Sequence, residues 1–404
     1  MIAARNPRFR LFDSLRAVAA LSVLLFHIAF VLEGFTEPTW GRYATELNIG
    51  VTIFFLISGF LLYRPFVRAR YAGEPAPAVG RYATRRLFRI VPAYWVTIAV
   101  TSLWIGLPVV FDHPWFHFTF TQVYNREDLL TGVGHTWTLA VEMTFYIFLP
   151  VWAFLIRRLP RGSDRRFVLT EGLPLVAIFG FALWWNLTQL ETFEGVALFS
   201  PKIAVLPRFL DHFALGMGLA VASVVLAGRT RQPWLVRVVE QRSWLPWALA
   251  GAGYIGLCNV GATYASADLE PLRHELRGLI AFCVLLPAVF GEARGGVVRR
   301  MLAWPPLLWV GLVSYSLYLW HPAVARKIVY TNLDEDIGWL VTAALVAIAS
   351  IATAAVSFYL IERPALKLGQ RLASGRRETP DDPGAEGGLG SPADDEVPAR
   401  SGAQ

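Results

Sequence analysis

Two cysteines, Cys258 and Cys283, are the only thiols in 404 residues, and both fall inside apolar stretches. That excludes a disulfide framework and a thiolate metal site, and no metal is expected. Charge is scarce as well: 17% of residues are Asp, Glu, Lys or Arg, against roughly a quarter in soluble domains, which excludes a soluble enzyme. No small-residue cleavage site follows the first apolar run, so that run is expected to stay in place rather than be removed as a signal peptide. There is no internal repeat and no matched pair of Gly/Pro-broken helices in two halves, which counts against a transporter.

Apolar and aromatic residues fill the chain instead, at 55% and 14% of the total. The fold class expected is all-α, a polytopic integral membrane protein with about ten transmembrane helices. Stretches of about twenty mostly apolar residues, enough to span the hydrocarbon core as helix, lie near 14–33, 47–66, 88–111, 136–156, 167–188, 203–226, 244–262, 276–291, 303–322 and 338–361. Basic residues gather on alternate loops, as the positive-inside bias requires. They are Arg5, Arg8, Arg10 and Arg16, then Arg64 to Arg89, Arg157 to Arg166, Arg229 to Arg242, and Arg294 to Arg300. Glu33, Glu37, Glu46, Asp112, Glu127, Asp128, Asp334, Glu335 and Asp336 mark the opposite loops. Both termini are therefore expected in the cytoplasm. The net charge of +7 does not mark a nucleic-acid binder, because the arginines are divided among inner loops rather than gathered on one element. Residues 1–370 read as one transmembrane domain. Residues 371–404, rich in Gly, Pro and Asp and without aromatics, read as a disordered cytoplasmic tail.

The sharpest local signal is LFDSLR followed by AVAALSVLLFHIAFVL, which holds Arg16 and His27. Eleven helical steps turn roughly 1100°, so the two side chains fall within about 20° of one face and about 16 Å apart along the axis. An intramembrane histidine is by default a functional candidate; the competing account is a histidine merely hydrogen-bonded between helices.

Two layers of polar residues follow from counting depth at about 1.5 Å per residue. The inner layer holds Arg16 with Arg85, Arg86 and Arg89 from RYATRRLFRIVPAYW. Arginine forks match phosphate oxygens, although inner-edge arginines also anchor helices to anionic membrane lipid. Higher up, HTWTLAVEMTFYIFLP places Glu142 at the depth of His27, where it is expected to accept an imidazole N–H and prepare the histidine as a base. A structural ion pair is the alternative for Glu142. Nearer the outside stand His135, Trp137, Asp211, Tyr318 and His321, aromatic and hydrogen-bonding groups that suit a sugar or polyol and equally suit an interfacial belt.

The motifs FDSLRAVAALSVLLFH, IFFLISGFLL, RRLFRIVPAYW, HTWTLAVEMTFY, SYSLYLWH and the closing IERP occur in one order over residues 9–370. Together they resemble the membrane acyltransferase-3 family, the O-antigen acetylase-like O-acyltransferases. The resemblance implies transfer of an acyl group from acyl-CoA, acetyl-CoA foremost, to a hydroxyl of a surface glycan, a glycolipid or a secondary metabolite such as a macrolide. It implies His27 as the essential histidine, Arg16 as its paired arginine, Arg86 with Arg89 as the basic pair, and Glu142 as the motif glutamate. Met143 and Thr144 stand where many relatives carry Glu-Gln, a departure that bears on the acceptor. The hydrolase-like domain that some relatives append is not expected within residues 1–404.

The mechanism expected has donor phosphates on Arg16, Arg85, Arg86 and Arg89, with His27 as base or acyl carrier between donor and acceptor. The location expected is a bacterial inner membrane. A transporter or flippase relaying protons through His27 and Glu142 is the rival from another class, and a purely structural protein is the weaker one.

Overall fold

A computed structural model describes residues 11–106, 109–125, 127–129, 131–189, 201–227, 229–260, 269–290, 296–329 and 337–375. Arg5, Arg8, Arg10, Arg294, Asp334, Glu335, Asp336 and the tail beyond residue 375 lie outside the described residues. The described residues form helices, short helical turns and loops, with no strand among them. The principal helices are α1 (Leu11–Val31), α2 (Ile49–Ala72), α3 (Val79–Ile105), α4 (Trp137–Arg157), α5 (Asp164–Thr188), α6 (Leu206–Val225), α7 (Trp244–Leu257), α8 (Glu270–Val289), α9 (Pro305–Leu312), α10 (Ser314–Val329), α11 (Trp339–Ser357) and α12 (Arg363–Ser374).

Each of the ten expected stretches meets a helix, but length and apolarity alone qualify seven of them as spans, or eight counting α9 and α10 as one bent span. The shortfall has a physical reason. Helix α7 has 14 residues, about 21 Å at 1.5 Å each, too short to cross. Helix α8 carries Glu270, Arg273, His274, Glu275 and Arg277 in its first turns, which lowers its hydropathy while the bundle buries the charges.

Lipid supplies no hydrophobic drive between helices, so close packing must hold them together. Small residues permit it at two crossings. Gly59 of α2 faces the Phe213 carbonyl of α6, and Gly216 of α6 faces the Leu56 carbonyl of α2. A methyl group at either would overlap the opposing oxygen. At Gly311, helix α9 lies against the backbone of Asp13 on α1 in the same way.

Buried polar groups then fix register. Arg70 on α2 donates to Glu171 on α5, which also accepts from Tyr63. Arg299 is 1% exposed and donates to the carbonyls of Pro287, Phe290, Val239 and Glu240, satisfying helix-end oxygens that have no intrahelical partner.

Two irregularities shape the interior. Between α9 and α10 the chain turns by 73°, so Ser314, Tyr315, Tyr318 and His321 enter the bundle at an angle to α9. Between α11 and α12 lies a π-turn, Phe358–Glu362. It widens the helix by one residue and brings Glu362, 1% exposed, inward.

Candidate active site

Helices α1, α2, α3, α4 and α10 surround a cleft of about 710 Å³, open solvent included. Arg16, Arg86 and Arg89 line one part of it and Thr138 and Tyr318 another. Arg85 is exposed and absent from the lining, which corrects its expected part in the cluster. One step along a helix turns the side chain by about 100°, and that step carries Arg85 away from Arg86.

Glu142 lies inside this cleft, where it accepts from Ser58 Oγ at 2.6 Å and from Tyr146 Oη at 2.7 Å, both on Oε1. The Arg86 guanidinium sits 6.0 Å from the Tyr146 ring centroid, and its Nε is buried without a hydrogen-bond partner. Such an atom costs free energy unless something polar meets it. The expected Glu142–His27 hydrogen bond is not formed. Depth counting fixed the height of the carboxylate but not its bearing, and α4 turns it toward the arginines.

A carboxylate that enters the sequence reading only through IERP completes the wall. Glu362 accepts from Ser316 Oγ at 2.8 Å and acts electrostatically on Arg89 and Arg16. Arg16 also reaches Asp13 at 3.4 Å. The signal that could have found Glu362 is an ionisable residue closing a 23-residue stretch free of charge, residues 339–361.

Adjoining Tyr318 stand three histidines. Tyr318 Oη donates to the His135 carbonyl at 2.7 Å and shares a hydrogen bond with Thr138, and its ring centroid lies 5.1 Å from that of His135 and 5.9 Å from that of His321. The imidazole centroids are separated by 4.8 Å (His27 and His321), 5.3 Å (His135 and His321) and 5.9 Å (His27 and His135). Helix α1, the turn before α4, and α10 each supply one.

Main-chain carbonyls assign the tautomers, because a carbonyl only accepts. His321 Nδ1 lies 2.9 Å from the Leu317 oxygen, so it carries the proton and Nε2 is a lone pair. His27 Nδ1 lies 3.0 Å from the Val23 oxygen and 3.0 Å from His321 Nε2, so it too carries a proton, shared between two acceptors. The lone pair of His27 is therefore on Nε2. His321, expected to touch substrate, holds His27 instead.

Two other outer-layer residues lie elsewhere. Trp137 stacks on Phe209 with centroids 5.4 Å apart and packs into the core. Asp211 is fully buried, with Oδ2 accepting from His274 Nε2 at 2.8 Å and Oδ1 accepting from the His212 backbone N–H at 2.6 Å. Its surroundings are a separate charged network. Glu46 pairs with Arg273 and Arg277, and Glu270 with Arg208 and Arg277. Asp211, His212 and His274 bring potential ligand atoms within 4.8 Å of one another. The two imidazoles stack in parallel, however, with centroids 4.1 Å apart and planes 12° apart, so their in-plane lone pairs do not converge on one point. Counting depth along one helix does not fix bearing, since one layer of a bundle holds more than one cluster.

Outside the bundle, in the loop between α3 and α4, His113 Nδ1 lies 3.0 Å from Asp128 Oδ1. Hydrogen bonding to that carboxylate, and its charge, raise the His113 pKa above the ordinary value.

Comparison with known proteins bears on this arrangement. The chain is 24% identical to the peptidoglycan O-acetyltransferase OatA of Listeria monocytogenes over 88% of its own length and 56% of that protein's. It is 28% identical to nodulation protein 10 of Rhizobium leguminosarum, over 90% of this chain and 95% of the relative. It is 24% identical to the exopolysaccharide production protein ExoZ of Rhizobium meliloti, over 86% and 96%. The chain thus spans little more than half the length of the peptidoglycan O-acetyltransferase. No solved structure matches it. The family model described as an acyltransferase domain matches residues 10–362, from the start of α1 to the buried Glu362, and the chain is a membrane-spanning member of the acyltransferase-3 family.

Proposed function

We propose that this chain moves an acyl group, acetyl foremost, from acyl-CoA on the cytoplasmic side to a hydroxyl of a cell-envelope glycan in a bacterial inner membrane. The observation that carries the reading is the cleft with Arg16, Arg86 and Arg89 in its wall and Tyr318, the neighbour of His135 and His321, in the same lining. Guanidinium groups bind donor phosphates, the unpartnered Arg86 Nε among them. The pantetheine arm follows the apolar lining of Phe54, Phe55 and Leu139. His27, its Nδ1–H held by Val23 and His321, presents Nε2 to the thioester or to the acceptor hydroxyl. Base catalysis of this kind is worth about 10² to 10⁴ in rate.

A glycan acceptor is favoured by two of the relatives, one named as a peptidoglycan O-acetyltransferase and one as an exopolysaccharide production protein. Glycolipids and macrolides belong to the same chemical class of hydroxyl acceptor.

The test is acetyl transfer from labelled acetyl-CoA in inverted membrane vesicles, read by mass spectrometry of glycans, lipids and secreted metabolites. Wild-type protein should add one acyl mass to an acceptor and His27→Ala should not, at equal membrane abundance. Transport of an unmodified solute with no acylated product would replace this reading with that of a carrier.

A further inference from the structure

Two of the three histidines present Nδ1–H to a main-chain carbonyl, His27 to Val23 and His321 to Leu317, which leaves the lone pair on Nε2 of each. The third, His135, has an Nε2 that is buried with no hydrogen-bond partner. His321 spends its lone pair on His27 Nδ1–H. Two lone pairs remain, on His27 and His135, whose ring centroids are 5.9 Å apart.

A single transfer step needs one base. Two histidines whose rings lie 5.9 Å apart fit a reaction in two halves, and they differ in what surrounds them. His27 is held from behind by another imidazole, which can take up positive charge developing on its ring. His135 belongs to the turn Gly134–Thr136 that leads into α4, with Tyr318 and Thr138 fixing its backbone carbonyl. A buried Nε2 with no hydrogen-bond partner is costly to maintain unless a polar group completes it.

Resting on the acyltransferase reading above, we propose that His135 is a second catalytic residue, the base that activates the acceptor hydroxyl while His27 carries the acyl group. In the first half His27 Nε2 attacks the thioester carbonyl, the C–S bond breaks, and the thiolate leaves with the sulfur's electron pair. In the second half the acceptor oxygen attacks the acyl-imidazole as His135 Nε2 takes its proton. The C–N bond then breaks and returns the electron pair to His27. The proton on His135 ends on the departing thiolate, so an acyl thioester and an alcohol become an ester and a free thiol.

The experiment uses the full chain in proteoliposomes with labelled acetyl-CoA, quenched at short times, first without acceptor and then with ethanol or the more acidic trifluoroethanol as probe alcohols. Wild type should show acid-quenched label on the protein that both alcohols discharge, and His27→Ala should show none. His135→Gln should load within about twofold of wild type. Its discharge by ethanol should slow by about 10² to 10⁴, the usual worth of a positioned base, and its discharge by trifluoroethanol much less, because an acidic alcohol needs less help. His135→Asn, a smaller isostere, should repeat the pattern. Equal slowing with both alcohols, or loss of loading in both variants, would assign His135 a structural role and overturn the proposal. A wild-type protein that releases free thiol on transfer yet never carries label would overturn the acyl-histidine step and His135's part in it. A wild type that takes nothing from acetyl-CoA would overturn the parent reading as well.

Discussion

His321 Nε2 stands 3.0 Å from His27 Nδ1, so one imidazole sets the proton position of another across the contact between α10 and α1. Removing it leaves the Val23 carbonyl as the one acceptor of the His27 Nδ1–H and nothing to take up positive charge on that ring. His321→Ala is expected to lower kcat by about 10- to 100-fold, the usual cost of losing a partner that orients a histidine, with the donor KM little changed. Steady-state kinetics at several donor concentrations separates the two parameters. A rise in KM alone would mean that His321 touches the donor.

The arginines divide by position rather than by number. Arg86→Ala or Arg89→Ala removes a charge-assisted contact worth about 1.5–3 kcal/mol, which corresponds to about a 10- to 100-fold rise in donor KM. Arg85→Ala, altering an exposed side chain, should leave the KM nearly unchanged. An equal effect at Arg85 would place the phosphates outside the cleft.

Glu142 holds two hydroxyls through one oxygen. Glu142→Ala leaves Ser58 and Tyr146 without their acceptor and should cost about 1–3 kcal/mol of stability, read as a lower Tm in detergent. Glu142→Gln keeps a carbonyl oxygen there and should cost less. Neither should move the pH–rate profile; a shifted profile would mean that the carboxylate reaches His27 during turnover.

Asp211→Ala should damage the fold rather than acceptor recognition. Removing one member of a buried, hydrogen-bonded charged group costs about 3–5 kcal/mol, so the expected result is poor recovery of folded protein with near-normal transfer per folded molecule. Lowered acceptor affinity in a fully stable variant would contradict this.

The His113–Asp128 contact gives the loop between α3 and α4 a pH dependence. A pKa raised by the carboxylate means that its stabilisation is complete below the ordinary histidine value, about 6.5, and is lost as pH rises through the raised value. The Tm difference between wild type and His113→Asn should therefore be largest in mild acid and disappear in alkali.

The parts of this site written along one helix were legible in the sequence. Arg16 and His27 share a face of α1 because the period fixes both their angle and their rise. Relationships between helices were not. Glu142 and Asp211 were placed at useful depths, yet depth says nothing of rotation about the bundle axis. Glu142 turns to Ser58 and Asp211 to His274. Arg86 lines the cleft and Arg85 does not, a difference of one helical step. Length and apolarity pass over α8, which hides its charges inside protein, a circumstance that hydropathy along a single chain does not register. Glu362 enters the sequence reading only within IERP because a π-turn, not a regular helix, brings it inward.

The 73° corner at Val313 carries a wider implication. Immediately beyond it, Tyr315 and Tyr318 line the cleft while His321, one turn further, braces the His27 imidazole. Both contacts hang from the same rod, so tilting that rod would reshape the cleft and shift His27 together. Mutations that stiffen or relax the corner should thus couple affinity to turnover even though no reacting atom lies there.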